Sequence, residues 1–199
     1  MSVPQRKRLA VLVSGSGRSL ENLAELAARG ELDVEIGLVL SDRPGIQALE
    51  RAARFEIPHK VLVHRDFEGP ASFSEAAFEE IEAHGCNYVI LAGFLRLLKL
   101  PKEWSGRVLN IHPSLLPKYG GKGFYGDHVH RAVIAKGEVK SGCTVHFIDD
   151  EYDRGEIILQ REVPVLPDDT PESLAAKVFE EEKRALPEAI RLLSRPPSC

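Results

Sequence analysis

The sequence predicts an α/β fold in which a mostly parallel, twisted sheet is flanked by helices and followed by a late antiparallel hairpin. Three observations support this prediction. Short, β-branched apolar runs alternate with longer segments of helical periodicity up to about residue 92, a pattern typical of parallel strands joined by crossover helices. A further short strand-like run follows at 108–111. Two late runs, 143–148 and 157–163, are separated by an acidic loop, which favours a hairpin.

The elements are expected in a regular order. The pattern predicts strands at 9–13, 34–40, 60–63 and 88–92, and helices at 20–29, 46–55, 73–84 and 128–136. The last helix should begin with Thr170 as its N-cap and Pro171 in its first turn. Pro187 should end or kink that helix before it reaches Leu193, because proline lacks the N–H that a helix interior needs.

Length, composition and charge limit the classes of function. A chain of 199 residues with 43% hydrophobic and 28% charged residues suits one globular domain. The net charge of −4 offers no general attraction to nucleic acid or to an acidic membrane, so the expected partners are small molecules. No apolar run is long enough to span a membrane. Cys86, Cys143 and Cys199 lack the spacing of a disulfide framework or a zinc site, which suits a reducing cytoplasm.

The first candidate site is the glycine-rich turn SGSGRSL, residues 14–20, between the first strand and the first helix. Small residues let backbone N–H groups approach an anion, and a helix N-terminus favours negative charge, so the turn suits a phosphate. A dinucleotide site is a weaker match, because Leu20 stands where G-x-G-x-x-G has its third glycine, although Asp42 could serve as the ribose-binding acid. A plain strand-to-helix turn explains the segment equally well.

Asn110 and His112 form the second candidate site, at the carboxyl end of the 108–111 strand. They stand two positions apart and therefore on the same side of an extended chain. Open parallel sheets bind ligands beyond such strand ends. An amide donor beside an imidazole suits acyl transfer, in which charge develops on a carbonyl oxygen and a proton leaves the attacking amine. The alternative is a structural histidine held in place by Pro113.

The third candidate is the acidic loop DDEYDRG, residues 149–155, between the two late strands. Most acidic clusters are solvated loops, and that interpretation stays open here. A carboxylate folded back towards His112 would raise the pKa of the imidazole and stabilise its charged form. Gly155 would help the loop to turn back.

Four segments resemble, in order and approximate spacing, the phosphoribosylglycinamide formyltransferases of purine biosynthesis: VLVSGSGRSLENL, LAGFLRLL, NIHPSLLPKYGG and GCTVHFIDDEYDRGEIILQ. The resemblance spans residues 9 to about 187, and its most specific string is NIHPSLLP. It implies one Rossmann-like domain over residues 1–199, with a phosphate-binding half at about 8–100 and a folate and catalytic half at about 101–194. It also implies a monomer or homodimer that transfers the formyl group of 10-formyltetrahydrofolate to glycinamide ribonucleotide without a metal ion.

Matching positions in the family imply roles for individual residues. The implied catalytic residues are Asn110, His112 and Asp153. The implied folate-contacting residues are Leu95, Arg96, Leu97, Leu98 and Asn110, with His146 as a second candidate nearby. The implied ribonucleotide-binding residues are Gly17, Arg18, Ser19 and Glu182. The hypothesis for the mechanism is that Asn110 and a protonated His112 stabilise the oxyanion while Asp153 keeps His112 charged. Leu95, Leu97, Leu98 and Leu100 are most simply explained as core or helix-packing residues.

The chain departs from the family pattern in three places. The family turn commonly reads Gly-Ser-Asn where this chain has Gly17-Arg18-Ser19. An arginine that often contacts folate, ahead of the third helix, has no evident counterpart between Asp66 and Glu80. The glycine-rich segment 119–127, which contains Lys122, is longer than in some members, and we expect a mobile lid or a phosphate contact there.

Other functions stay open at this point. A formyltetrahydrofolate hydrolase or a methionyl-tRNA formyltransferase could share the NIHPSLLP-like site, but the first is expected to carry an extra N-terminal domain and the second an extra basic C-terminal domain. Here the first strand starts at Leu9 and the sequence stops at Cys199. A nucleotide-dependent oxidoreductase would use the glycine-rich turn and Asp42, and a non-catalytic sensor would bind the same ligands without turnover.

Overall fold

The computed structural model describes residues 6–121, 123–149 and 153–193, and within these residues strands and helices alternate as the sequence predicts. In chain order the elements are β1 Lys7–Val13, α1 Arg18–Ala28, β2 Val34–Ser41, α2 Gln47–Arg54, β3 His59–Val61, α3 Pro70–Ala83, β4 Tyr88–Leu91, β5 Val108–His112, α4 Asp127–Ala135, β6 Lys140–Phe147, β7 Ile157–Pro164 and α5 Pro171–Leu192. The strands form one sheet with the order β3-β2-β1-β4-β5-β6-β7. The predicted fold class is confirmed, and so is the late antiparallel hairpin.

The chain divides into two compact units. The first unit contains the residues up to Val108 together with those from Arg191 onwards, and the second unit is Leu109–Ile190. The single-domain assignment, with halves at about 8–100 and 101–194, stays a prediction.

Parallel strands form the centre of the first unit. β1 pairs in parallel with both β2 and β4, and β2 pairs in parallel with β3. Every side chain from Leu9 to Val13 is fully buried, as expected for a strand covered on both faces. Because parallel strands point the same way, the turn after β1 and the loop after β4 both leave from the carboxyl ends of their strands.

Antiparallel pairing organises the second unit. β5 pairs with β6, and this register sets Asn110 opposite His146 and His112 opposite Thr144. β6 in turn pairs with β7, with a bulge at Val145/His146. All four of these polar side chains therefore belong to one face of the β5–β6 pair.

The last helix differs from its prediction at one point. The capping prediction for α5 is confirmed, since the backbone N–H of Ser173 donates to Oγ1 of Thr170 at 3.2 Å and Pro171 is the first helical residue. Pro187, however, does not end the helix, which continues to Leu192. Leu186 and Ile190 are buried beside it, and their burial offsets the loss of one backbone hydrogen bond.

Candidate functional site

The glycine-rich turn after β1 has the geometry of an anion-binding helix start. Gly17 lies in the left-handed region, with φ 72° and ψ 28°, as the N-cap of α1. A Cβ at Gly17 would lie 2.6 Å from the Cβ of Ala48, so both the backbone angle and the close packing require glycine. Arg18 is exposed and Ser19 is half-buried in the first turn of the helix, whose leading N–H groups have no carbonyl partner within the helix.

The loop after β4, residues 93–99, is non-helical, as the folate-contact hypothesis requires. The hydroxyl of Ser14 accepts a hydrogen bond from the backbone N–H of Leu95 at 3.0 Å, and the hydroxyl of Ser74 accepts one from that of Lys99 at 2.9 Å. Leu98 is buried, which confirms the core interpretation for that leucine, whereas Leu95 is exposed. This 93–99 loop is thus fixed at both ends by serine side chains.

Asp42 also anchors the 93–99 loop. Its carboxylate, fully buried, accepts a hydrogen bond from Nε of Arg96 at 2.7 Å, and Nε of Arg43 lies 3.4 Å from the other carboxylate oxygen. A carboxylate engaged in this way is not exposed to a ribose. The finding therefore removes the support that Asp42 gave to a nucleotide-dependent oxidoreductase.

In the second unit, Asn110, His112, His146 and Asp153 form a polar group, called here the His112 cluster, in which the two histidines are buried and the other two side chains are half-buried. Nδ1 of His112 lies 3.5 Å from Oδ2 of Asp153, and Nε2 of His146 lies 3.6 Å from Oδ1 of the same carboxylate. The amide nitrogen of Asn110 donates to Oδ1 of Asp153 at 3.2 Å and contacts Nε2 of His146 at 3.1 Å. The structure therefore brings together the three residues that the resemblance implied as catalytic, and adds His146.

Main-chain groups hold three members of the His112 cluster. The carbonyl of Tyr119 lies 2.8 Å from Nε2 of His112, and the carbonyl of Phe147 lies 2.7 Å from Nδ1 of His146. The backbone N–H of Gly121 donates to Oδ2 of Asp153 at 2.8 Å. Because a carbonyl only accepts, Nε2 of His112 and Nδ1 of His146 carry protons, and Nε2 of a neutral His146 then accepts from Asn110.

Burial controls the charge of His112. It lowers the pKa of the imidazole below its ordinary value of 6.5, although the charge of Asp153 and the carbonyl of Tyr119 both act to raise it. Asp153 acts to raise this pKa, as the sequence analysis expects, but the removal of the ring from water lowers it by more, so the net pKa lies below 6.5. Burial also acts to raise the pKa of Asp153, but the neighbouring His146, the charge of His112 and the N–H of Gly121 together bring it below 3.8. The cluster at rest holds a neutral imidazole beside an ionised carboxylate.

Hydrogen bonds from the buried side chains of Thr144 and Ser114, and from the exposed Gln160, brace the loop after His112. The hydroxyl of Thr144 donates to the carbonyl of Ser114 at 2.6 Å and accepts from the backbone N–H of Leu116 at 3.0 Å. The amide of Gln160, opposite Thr144 on β7, donates to the carbonyl of Leu116 at 2.9 Å. The hydroxyl of Ser114 donates to the carbonyl of Lys118 at 2.6 Å. This bracing fixes the backbone that leads to the Tyr119 carbonyl.

The hairpin loop that carries Asp153 requires a glycine at its end. Asp153 has a positive φ of 55°, an angle that aspartate tolerates better than most residues. A Cβ at Gly155 would overlap the carbonyl oxygen of Phe147, so only glycine allows the chain to turn back there. The expected role of Gly155 is confirmed. Of the other acidic residues in this loop, Asp150 and Glu151 lie outside the described residues.

The remaining predicted site residues occupy separate positions. Glu182 is half-buried on α5, close enough to Cys143 for its charge to add to burial in raising the thiol pKa to about 12. In the glycine-rich segment 119–127, Phe124 and Tyr125 are exposed and α4 begins at its end, whereas Lys122 lies outside the described residues.

Comparisons with known proteins identify the family. The sequence model described as formyl transferase matches residues 7–190. The chain belongs to the formyl transferase family. A trifunctional purine biosynthetic protein of Drosophila melanogaster is 41% identical over 194 residues, which cover 95% of this chain and 14% of that protein. A chloroplastic phosphoribosylglycinamide formyltransferase of Vigna unguiculata is 38% identical, over 95% of this chain and 61% of that protein. This formyl transferase chain thus spans only part of the length of these curated relatives.

Solved structures resemble this formyl transferase over nearly their whole length. A glycinamide ribonucleotide transformylase from Symbiobacterium toebii has a TM-score of 0.88 at 38% identity, covering 94% of this chain and 87% of that one. A phosphoribosylglycinamide formyltransferase from Bacillus halodurans has a TM-score of 0.88 at 32% identity, covering 94% and 96%. The family and the fold that the sequence predicts are therefore both confirmed.

Two further features of the described residues concern other classes of site in this formyl transferase. Across residues 6–121, 123–149 and 153–193, no group of three or more His, Cys, Asp or Glu side chains is placed to hold a metal ion. In the same part of the chain, no helix combines the length and apolar character needed to cross a bilayer.

Sequence reasoning missed the backbone members of the His112 cluster. The sequence names His146 as a second candidate, and its position opposite Asn110 follows once β5 and β6 are paired. The carbonyl of Tyr119 and the N–H of Gly121 carried no signal, because every residue has these groups and only the path of the loop aims them.

Proposed function

We propose that this protein is a phosphoribosylglycinamide formyltransferase, which transfers the formyl group of 10-formyltetrahydrofolate to the amine of glycinamide ribonucleotide. The observation that carries the proposal is the approach of Asp153 to His112, at 3.5 Å, within the cluster that also holds Asn110. Formyl transfer needs a group that accepts a proton from the attacking amine and returns one to the departing folate nitrogen. A buried imidazole beside a carboxylate can perform both steps.

His112 is the group that moves the proton. Its Nε2 is occupied by the carbonyl of Tyr119, so Nδ1 is the nitrogen that exchanges a proton. Because burial lowers the pKa of His112, the resting ring is neutral and acts first as a base towards the amine. Asp153 then stabilises the imidazolium that forms, and the ring gives its proton to the departing nitrogen. This order replaces the hypothesis of an imidazolium at rest.

Asn110 stabilises the oxyanion in this proposal. At rest its amide nitrogen is engaged by Asp153 and His146, so donating to an oxyanion requires it to exchange one of these hydrogen bonds. His146 suits that exchange, because the carboxylate of Asp153 attracts the amide more strongly than a ring nitrogen does. The donor is half-buried and already belongs to the same cluster as the imidazole that it assists.

Binding of the ribonucleotide is assigned to the first turn of α1. Gly17, Arg18 and Ser19 provide backbone N–H groups and one exposed guanidinium, which together suit a phosphate group. Glu182 is proposed to accept hydrogen bonds from hydroxyl groups of the same substrate. The two assignments concern different units of the chain and are tested separately.

Binding of the folate is assigned to the backbone of residues 95–98. The side chains in this segment are already engaged in part, since Leu98 is buried and Arg96 is paired with Asp42. Backbone groups in a non-helical loop remain suited to the edge of a pterin ring, whose donors and acceptors alternate. Asn110 is proposed to contact the formyl end of the same molecule.

The wider setting of the enzyme is also a proposal. We propose that it acts in the cytoplasm, because Cys86 and Cys143 are buried free thiols, which suit a reducing compartment. It is proposed to act as a monomer or homodimer on small-molecule substrates, as a single formyltransferase domain.

A formyl-transfer assay with purified protein tests the function. The protein, 10-formyl folate and glycinamide ribonucleotide are mixed, and the change in the folate chromophore is followed. We expect turnover only when both substrates are present, and a decrease of roughly 10²- to 10⁴-fold in kcat for His112→Ala. Release of formate without the ribonucleotide would identify a hydrolase instead.

A matched variant controls for loss of a histidine. His59 is exposed on β3 in the first unit, so His59→Ala should leave kcat and KM unchanged. Equal turnover by the wild type and His112→Ala would remove the assignment of His112.

A further inference from the structure

Tyr119 is held in an unusual backbone conformation beside the His112 cluster. Its φ of 57° lies in the left-handed region, which a residue with a bulky side chain seldom adopts without support. In this conformation its carbonyl points at Nε2 of His112, at 2.8 Å. A residue in the more common right-handed or extended regions would direct its carbonyl elsewhere. The contact with His112 therefore depends on whatever keeps Tyr119 in place.

The side chain of Tyr119 is anchored by Glu138, in the turn between α4 and β6. The phenol hydroxyl donates to Oε1 of Glu138 at 2.9 Å. Nζ of Lys118 donates to the same carboxylate at 3.0 and 3.1 Å. The ring also meets Phe124 edge-on, with 6.0 Å between centroids. Glu138 thus accepts hydrogen bonds from two neighbouring side chains of the loop that follows His112.

We propose that Tyr119 and Glu138 are positioning residues for the proposed reaction: their side-chain contact keeps the Tyr119 carbonyl on Nε2 of His112, and so reserves Nδ1 for proton exchange. This inference rests on the proposed function for its effect on turnover. Its geometric part does not depend on that function: the Tyr119–Glu138 contact and the Tyr119–His112 contact are both observed in the second unit. Neither side chain touches the reacting atoms in this proposal.

The electrostatic surroundings of His112 decide the direction of the effect. Asp153 from the hairpin loop acts to raise the pKa of His112, whereas His146 from β6 lowers it, and His112 in turn acts to lower the pKa of His130 on α4. The carbonyl of Tyr119 also acts to raise the pKa of His112. Burial lowers the pKa of His112, and Asp153 and the Tyr119 carbonyl are the two contributions that oppose it. Releasing Tyr119 removes one of these two, so the titration of His112 must move to lower pH.

Glu138 remains charged while His112 titrates. The hydrogen bonds from Lys118 and Tyr119 lower the pKa of its carboxyl below the ordinary value of 4.5. Tyr119 stays protonated, since burial and the contact with Glu138 raise the pKa of its hydroxyl above 10.0. The anchor is therefore intact over the pH range in which an imidazole changes charge.

NMR titration of the full-length protein tests the inference without requiring turnover. The imidazole C–H signal of His112 is assigned by its absence in His112→Asn, and its midpoint is measured between about pH 5 and 8. We expect Tyr119→Phe, which removes only the hydroxyl, to move the midpoint to lower pH. Glu138→Ala should do the same, and the double variant should move it no further, because both changes break one contact.

Lys118→Met provides the matched control. It removes the second partner of Glu138 but leaves the tyrosine hydroxyl in place, so the midpoint of His112 should stay at its wild-type position. A midpoint in Tyr119→Phe equal to that of the wild type would overturn the inference. So would an equal movement in Lys118→Met, since the anchor would then be a general effect of charge.

Formyl-transfer kinetics separate this inference from the proposed function. We expect Tyr119→Phe to lower kcat roughly three- to ten-fold near neutral pH, the effect of losing one hydrogen bond to the titrating ring, with both KM values unchanged. A purely structural role would change the melting temperature and KM but not the pH profile. If the wild type transfers no formyl group, the proposed function fails, while the NMR midpoint still decides the inference.

Discussion

The 93–99 loop and the His112 cluster are built in opposite ways. In the 93–99 loop, buried side chains hold the main chain: Ser14 and Ser74 accept from backbone N–H groups, and Asp42 binds Arg96. In the His112 cluster, the main chain holds buried side chains, through two carbonyls and one N–H. Under the proposed function, the first arrangement presents backbone groups to a ligand and the second presents groups that move a proton. Substitutions should therefore act on KM in the first region and on kcat in the second.

The largest effect is expected from Asp153→Asn. The variant keeps the shape of the side chain but removes the charge that stabilises an imidazolium at His112. We expect kcat to fall by roughly 10²- to 10⁴-fold, while both KM values change by less than about three-fold. Steady-state kinetics of formyl transfer measure both quantities.

Asp33→Asn is the control for loss of an aspartate charge, because Asp33 is an exposed partner of Arg6 in the first unit. It should match the wild type in kcat and KM. If Asp153→Asn instead raised KM and kept kcat, the assignment of kcat effects to the His112 cluster and KM effects to the 93–99 loop would be wrong.

A smaller loss is expected from Gly17→Ala in the turn after β1. The new Cβ would lie 2.6 Å from the Cβ of Ala48 and 2.8 Å from its Cα, at a positive φ of 72°. We expect a loss of roughly 1–3 kcal/mol in unfolding free energy and a KM for the ribonucleotide raised by about ten-fold or more. Denaturant unfolding and kinetics at saturating folate measure these effects.

Gly15→Ala is the matched control in the same turn. Nothing lies within 4 Å of a Cβ at Gly15, so its unfolding free energy should stay close to that of the wild type. Equal destabilisation by both alanines would mean that flexibility of the turn, and not the packing of Gly17, accounts for the loss.

The sequence predicted most of the fold because its periodicity is strong. Runs such as Leu9–Val13 are fully buried, and buried parallel strands appear in a sequence as continuous apolar stretches. Of the two outcomes expected at Pro187, an end of the helix is not observed, because tertiary packing outweighs a local preference. Local rules describe what a segment prefers in isolation, whereas the buried neighbours of α5 determine what it does in the folded chain.

The candidate site was only partly predictable for a different reason. Asn110 and His112 stand in one short motif, and resemblance to a family added Asp153 from a distant loop. The lowered pKa of His112 could not be predicted, because it depends on how completely the ring is buried and not on which carboxylate is near. The engagement of Asp42 by Arg96 was equally hidden, since the two residues are far apart in the chain and meet only after folding.

A change of a few-fold is expected from Asp42→Asn. The variant removes the charge that holds Arg96 and so loosens the 93–99 loop without touching the His112 cluster. We expect KM for the folate to rise roughly three- to ten-fold, equivalent to about 1 kcal/mol, with kcat and the KM for the ribonucleotide unchanged. Arg43→Gln is the control, because Arg43 approaches the same carboxylate only at 3.4 Å. A drop in kcat for Asp42→Asn would show that the two regions are coupled.

The smallest effect is the dependence of stability on mildly acidic pH. Burial lowers the pKa values of His112 and His130 below 6.5, so the unfolded chain binds protons more readily than the folded one. Stability is therefore fully present above the unfolded value of 6.5 and is lost as the pH falls below it. The slope cannot exceed about 1.4 kcal/mol per pH unit for each proton. Asp153 contributes only at lower pH, because its pKa lies below 3.8 and the unfolded carboxyl is still ionised near pH 5 to 6.

Denaturant unfolding at pH 7.5, 6.5 and 5.5 measures this dependence, and His130→Leu locates its source. Nδ1 of His130 is buried without a hydrogen-bond partner among the described residues, so replacing the ring removes a titrating group and leaves no new acceptor unpaired. We expect a flatter profile for His130→Leu than for the wild type. Val129→Ala, a neutral buried change on the same helix, should lower stability equally at all three pH values. A profile of unchanged slope in His130→Leu would assign the dependence to the His112 cluster instead, where burial lowers the pKa of the His112 ring.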